Sequence, residues 1–193
     1  MVNKITKIEI IKLFVFDYSK RFYLAELEKI LEKSHQTIKP YAEELVKEGI
    51  LVRNEREEYL LNMKNKRVYE YIIIAEKEKL LEKLAKDVYL SGLFEKFSIF
   101  FRKSLFIFFG SAVAGIKKGS DIDVLVIGKE NVSKTVKEFE EICNKKIHLI
   151  QRESLEELDL RFVKEIYKNH IIINNTDQVV YFFGELCEKN KLV

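Results

Sequence analysis

Apolar side chains recur at helical spacing through the first half of the chain, and strand-like runs enter in the second. Ile5, Ile8, Ile11, Leu13, Phe14 and Phe16 form one helical apolar face. Leu24, Leu27, Ile30 and Leu31 form a second. After a polar break at Ser34–Gln36, Ile38, Ala42, Leu45 and Val46 resume a period of about 3.6. Proline lacks an N–H and suits a first helical turn, so Pro40 predicts a helix start near Thr37, with Gln36 or Thr37 as the cap. The alternative is a kinked start. Gly49 is the expected C-cap. Ile50–Val52 and Tyr59–Leu61 flank a charged tip and predict a hairpin.

From Met63 to Lys103 the pattern predicts one long helix or two, with Val68, Tyr71, Ile72, Ile74, Leu81, Leu84, Val88 and Tyr89 on one side and an interruption at Gly92. Phe94, Phe97, Phe100 and Phe101 read as core packing rather than as a cofactor box. Strand and helix then alternate. Strands are expected at Leu105–Phe109, Asp121–Ile127, Lys146–Ile150 and Ile171–Ile173. Helical patterns cover Val132–Cys143 and Ser154–Lys168, the latter with Ser154 and Glu157 as a capping pair. Val179–Phe183 fits a helix or a strand. Together these predict a two-part α+β chain, divided at 1–62, 63–104 and 105–193.

Composition narrows the picture. Of 193 residues, 47% are hydrophobic and 34% charged, the balance of a chain that folds around a core rather than a disordered one. No apolar run reaches the roughly 18–20 residues needed to span a bilayer, so no membrane role is expected. The start, MVNKITKIEI, has no secretory h-region, and the cytoplasm is the expected compartment. Cys143 and Cys187 match no metal spacing and read as buried thiols. Net charge is +3. Residues 1–62 balance to 0, 63–104 carry +4 and 105–193 carry −1. A chain that gripped nucleic acid along its whole length would be more basic.

The chemistry concentrates in Gly110-Ser111, nine residues, then Asp121-Ile122-Asp123. Asp121 and Asp123 lie two apart on a strand, so their carboxylates share a face. Such a pair is costly without a cation, and oxygen donors with no nearby cysteine favour Mg²⁺ or Mn²⁺. Residues 112–120 are too few for a parallel crossover, so the flanking strands are expected to be antiparallel, with Gly110-Ser111 beside Asp121-Ile122-Asp123. Gly110 allows close backbone approach, and Ser111 offers a hydroxyl and an N–H to a phosphate. Lys117 adds a positive charge in the connection, or is a solvated turn residue.

This stretch resembles the signature of the DNA polymerase β-like nucleotidyltransferases, and in particular their minimal bacterial and archaeal members. The resemblance implies a small mixed sheet, divalent ions on Asp121 and Asp123, and nucleoside triphosphate phosphates at Gly110, Ser111 and Lys117. It also implies transfer of a nucleoside monophosphate to a hydroxyl with release of pyrophosphate. Two positions depart from the pattern. His148 stands where a third carboxylate is usual, and Ala114 where an arginine often precedes the glycine. His148 is either a substitute base or the remnant of an inactive site.

The first segment resembles a winged helix-turn-helix domain. That resemblance implies duplex DNA at the third helix, through His35, Gln36, Thr37, Lys39 and Tyr41, with Arg53 and Arg56 on the wing near phosphates. The zero net charge and Glu55, Glu57 and Glu58 favour instead a protein-interaction module. Three functions follow as expectations. One is a metal-dependent nucleotidyltransferase acting on RNA, protein or a small molecule. Another is a DNA-binding regulator whose second domain senses NTP, with dimerisation through the helical linker. The third is an antitoxin-like subunit.

Overall fold

The computed structural model describes residues 6–114 and 121–192. The chain divides into two compact units, one of residues 1–76 with 180–193 and one of residues 77–179.

The first unit holds three helices and a hairpin: α1 (Lys7–Ile11), α2 (Leu24–Leu31), α3 (His35–Lys47), β1 (Leu51–Arg53) and β2 (Tyr59–Leu61). The strands pair antiparallel, Leu51 opposite Leu61. Thr6 and Glu9 form a reciprocal cap at the start of α1. The helix ends at Ile11, earlier than the periodicity predicts. Ile10, Ile11, Phe14 and Val15 are the buried set there, whereas Ile8, Leu13 and Phe16 are half-buried. Helix α3 also starts earlier than expected, with Ser34 as N-cap and His35 as its first residue. Pro40 therefore lies in the second turn, and the Gln36 carbonyl loses the N–H that residue 40 would ordinarily supply. Ile38, Ala42 and Leu45 anchor the inner face of this helix.

Helix α4 (Arg67–Lys86) and helix α5 (Val88–Phe97) are separated at Asp87, whose carboxylate accepts from the amides of Tyr89 and Leu90. Gly92 does not interrupt the helix as expected. It sits inside α5, where a Cβ would lie 3.4 Å from the Phe139 ring. The buried stripe of α4 is Val68, Tyr69, Ile72, Ile73, Ala75, Glu76 and Leu80, while Ile74, Leu81 and Val88 are exposed, contrary to the expected face.

The second unit is built on a four-stranded sheet of β3 (Leu105–Phe109), β4 (Ile122–Ile127), β5 (Ile147–Arg152) and β6 (His170–Ile172), in the order β5-β4-β3-β6. β4 and β5 run parallel and the other pairs antiparallel. The parallel crossover is made by α7 (Ser133–Cys143). Every residue of β3 is buried, and Val124 to Ile127 are buried on both faces of β4. Helix α6 (Ser111–Ala114) follows β3 directly. The predicted helix over 154–168 is broken. A single turn at Leu155–Glu157 precedes α8 (Leu160–Lys168), whose N-cap is Asp159, and the Ser154 side chain makes no cap bond.

The final helix, α9 (Thr176–Glu188), carries the chain back into the first unit. There Tyr181 stacks on Tyr69 with centroids 4.7 Å apart, and the Tyr69 hydroxyl donates to Glu188 at 2.7 Å. Gly184 leaves room for the Tyr69 ring, which a side chain at that position would overlap.

Candidate functional site

The site is set by sheet register. Antiparallel pairing aligns Phe109 with Asp123, and parallel pairing aligns Asp123 with His148. The last residues of β3, the first of β4 and the first of β5 therefore gather at one end of the sheet. Gly110 closes β3 with φ +65°, a conformation that favours glycine. A Cβ there would stand 2.5 Å from Asp123 Oδ2, so glycine is what permits the turn to lie against the carboxylate. Asp123 is half-buried. Its Oδ1 lies 3.1 Å from His148 Nδ1, and the His148 side chain is 61% exposed.

Asp121 lies one residue before β4 and is exposed, as is Ser111. Extending the β3–β4 ladder one step past Gly110 sets Ser111 against Asp121. Helix α6 has only four residues, too short to lend much dipole to a phosphate. The hydroxyl and amide of Ser111 are its relevant groups. Lys117 and Gly115 lie outside the described residues. Among the described residues no group of three or more His, Cys, Asp or Glu side chains is arranged to hold an ion alone. The donor set of two carboxylates still suits a hard cation that takes its remaining ligands from a nucleotide's phosphates and from water.

One residue of this corner was not evident in the pattern. Asn169, between α8 and β6, donates from Nδ2 to the Gly110 carbonyl at 2.6 Å. The signal that could have found it is register: β3–β6 pairing aligns Phe109 with His170, and one further step aligns Gly110 with Asn169. His170 is fully buried, with Nδ1 at 3.1 and 3.0 Å from the carbonyls of Ile166 and Tyr167.

In the first unit, His35, Gln36 and Lys39 are exposed on α3, and Thr37 and Tyr41 are half-buried. His35 Nδ1 lies 2.7 Å from Glu28 Oε1. Arg53 and Arg56 are exposed on the hairpin. Arg53 is bound to Glu43 and Glu57, each at 3.1 Å, and the Tyr59 side chain, then the Glu57 and Glu43 carboxylates, push its guanidinium above its ordinary range. Arg21 joins Arg53 and Arg56 around an open basin on the hairpin. Cys187 is buried, but Cys143 is only half-buried. Among the described residues no helix is long and apolar enough to cross a membrane.

A family model described as a nucleotidyltransferase domain matches residues 90–182, which takes in α5, the whole sheet and part of α9. The chain thus carries a nucleotidyltransferase domain within a mixed α+β fold. No curated protein matches. A search of solved structures finds a crystal structure of a mutant of the toxin–antitoxin pair MntA–HpeT, at 12% identity and TM-score 0.39, over 52% of this chain and 86% of that one.

Proposed function

We propose that the chain is a metal-dependent nucleotidyltransferase, moving a nucleoside monophosphate from an NTP to a hydroxyl. The observation that carries this reading is the juxtaposition of Gly110, Asp123 and His148 in one sheet register, at the end where Ser111 and Asp121 are exposed. Asp121 and Asp123 would hold Mg²⁺ or Mn²⁺. An ion bound there supplies Lewis-acid stabilisation of charge on the phosphates. Gly110 and Ser111 present backbone and hydroxyl groups to the phosphates, with Lys117 as an added positive charge. The acceptor oxygen attacks the α-phosphorus, the bond to the bridging oxygen breaks, and pyrophosphate leaves. His148, whose exposed ring has Nδ1 3.1 Å from Asp123 Oδ1, would take the hydroxyl proton on Nε2. Incubation with Mg²⁺ or Mn²⁺ and each labelled NTP tests the proposal, with Asp123→Ala as control. Transfer by the native chain alone supports it. No label transfer and no pyrophosphate release with any acceptor class would sink it.

A second reading makes the chain a DNA-binding regulator that senses NTP. It is favoured by the exposed Gln36 and Lys39 at the start of α3 and by the basin of Arg21, Arg53 and Arg56. Residues 1–62 would act as a winged helix, with duplex phosphates at Arg56 and Lys39. The exposed Ile74 and Leu81 of α4 would pair two copies. Salt-dependent duplex binding that falls with Lys39→Ala supports this reading. Absence of binding at low salt to every duplex tried overturns it.

A further inference from the structure

Asn169 lies outside the three strand ends just described and still reaches the site, and its reach follows from the fold. In the β3–β6 ladder Phe109 is the last paired residue, opposite His170. The next rung would set Gly110 opposite Asn169. Backbone pairing cannot continue there, because Gly110 turns to φ +65°. The Asn169 carboxamide takes over the rung, donating to the Gly110 carbonyl at 2.6 Å. The same carbonyl also receives the Val113 amide of α6 at 3.3 Å.

The Asn169 backbone does a separate job. Its N–H donates to the Ile166 carbonyl at 3.0 Å and closes α8. Its φ of −154° is one any residue adopts. A side-chain replacement therefore leaves the cap intact and removes only the tie to Gly110. The corner is itself rigid, since the buried His170 imidazole is bonded to two α8 carbonyls.

We propose that Asn169 is a positioning residue, a latch that fixes the Gly110–Ser111 turn against Asp123 and so sets the affinity of the site for metal–nucleotide. Without the latch the Gly110 carbonyl can rotate. The Ser111 amide and hydroxyl then lose their fixed relation to the Asp123 carboxylate, whose Oδ2 a side chain on Gly110 would overlap. The inference rests on the nucleotidyltransferase reading for its ligand, and on geometry alone for the latch.

The experiment uses the full chain with Asn169→Ala, Asn169→Asp and Asn169→Gln. Asp keeps the shape but replaces the donor with an oxygen that repels the carbonyl, and Gln keeps the donor on a longer arm. Amide hydrogen exchange of residues 111–113 is read without ligand, and Mn²⁺–ATP affinity by titration calorimetry. We expect faster exchange and about tenfold weaker binding for Ala, a larger loss for Asp, and partial recovery for Gln. In transfer assays the loss should fall in KM with kcat held within about twofold, and Tm should shift equally little in Ala and Gln. Unchanged exchange in both Ala and Asp overturns the latch. Faster exchange with unchanged Mn²⁺–ATP affinity overturns its role in binding. A native chain that binds no Mn²⁺–ATP overturns both the proposed function and the latch's role in binding, while the exchange data still decide the latch itself.

Discussion

The β3–β4 pair has two ends, and each is closed by a glycine at positive φ, Gly110 at +65° and Gly128 at +142°. At the Gly128 end the amide, carbonyl and charged groups are largely spent on one another, although the buried Ser104 Oγ has no partner among the described residues. The Gly128 amide donates to the Arg152 carbonyl at 2.8 Å. Gln151 Nε2 donates to the carbonyls of Gly128 and Glu130 at 2.7 and 3.0 Å. Lys103 pairs with Glu130, and Lys129 with Glu153. At the Gly110 end the carbonyl is tied to Asn169, but Ser111 and Asp121 stay exposed and Asp123 faces the exposed His148 imidazole. The same backbone device thus gives a closed corner in one place and an open polar one in the other. A glycine at positive φ does not mark a site by itself. What distinguishes Gly110 is the set of exposed polar side chains beside it, Ser111, Asp121 and His148.

The two alanine substitutions should separate along this line. A Cβ at Gly110 meets the far end of the Asp123 side chain, which can swing away. We expect Gly110→Ala to lose more than about 100-fold in Mn²⁺–ATP affinity or transfer rate, with a stability cost of about 1–2 kcal/mol from the positive φ. Retained affinity in calorimetry would show that the turn need not touch Asp123. A Cβ at Gly128 meets Ser104 Oγ at 2.5 Å and, behind it, backbone, the Lys103 carbonyl at 2.9 Å and Ser104 Cα at 3.1 Å. Backbone cannot step aside, so Gly128→Ala should cost about 2–3 kcal/mol in denaturant unfolding while the remaining folded protein binds nucleotide normally. The opposite ranking of the two variants would break the comparison.

His148→Asp sharpens it from the other side. It adds an anionic oxygen ligand at the register position opposite Asp123, and we expect about tenfold tighter Mn²⁺ binding in the presence of ATP. Equal affinities would mean that position 148 takes no part in the ion's surroundings.

The smallest effect serves as a control from the first unit. Hydrogen bonds from the Lys7 ammonium and the Tyr71 hydroxyl hold the Glu48 carboxyl below its ordinary range. A depressed carboxyl contributes stability above the unfolded pKa of about 4.3, and that contribution is lost as pH falls through the folded value. Glu48→Gln should therefore cost at most about 1 kcal/mol at neutral pH and little at pH ~3, read by denaturant unfolding, with nucleotide binding untouched.

Much of this was legible in the sequence because strands and short connections leave few options. The run Leu105–Phe109 and the nine residues between Ser111 and Asp121 point to an antiparallel pair with Gly110-Ser111 beside Asp121–Asp123, and the structure adds the register, Phe109 opposite Asp123. Boundaries decided by tertiary packing were not legible. Gly92 reads as a breaker, yet it is there to admit Phe139, and the real break belongs to the cap at Asp87. On α4 the apolar residues outnumber the places available for burial, so periodicity alone could not separate Ile72 from Ile74. Asn169 was invisible for a similar reason. Its partner lies 59 residues away, and only the sheet brings them together.

The return of α9 has a consequence for synthesis. The first unit is made from residues at both ends of the described chain, with 77–179 inserted between them. During vectorial translation the hairpin and α4 emerge early, but the ring of Tyr69 has no Tyr181 to stack on and its hydroxyl no Glu188 to bind. The first unit begins to emerge well before the second, yet it cannot complete its packing until residues 181–188 have left the ribosome, by which point the whole of the second unit is out as well. The unit made first is therefore finished no earlier than the one that follows it.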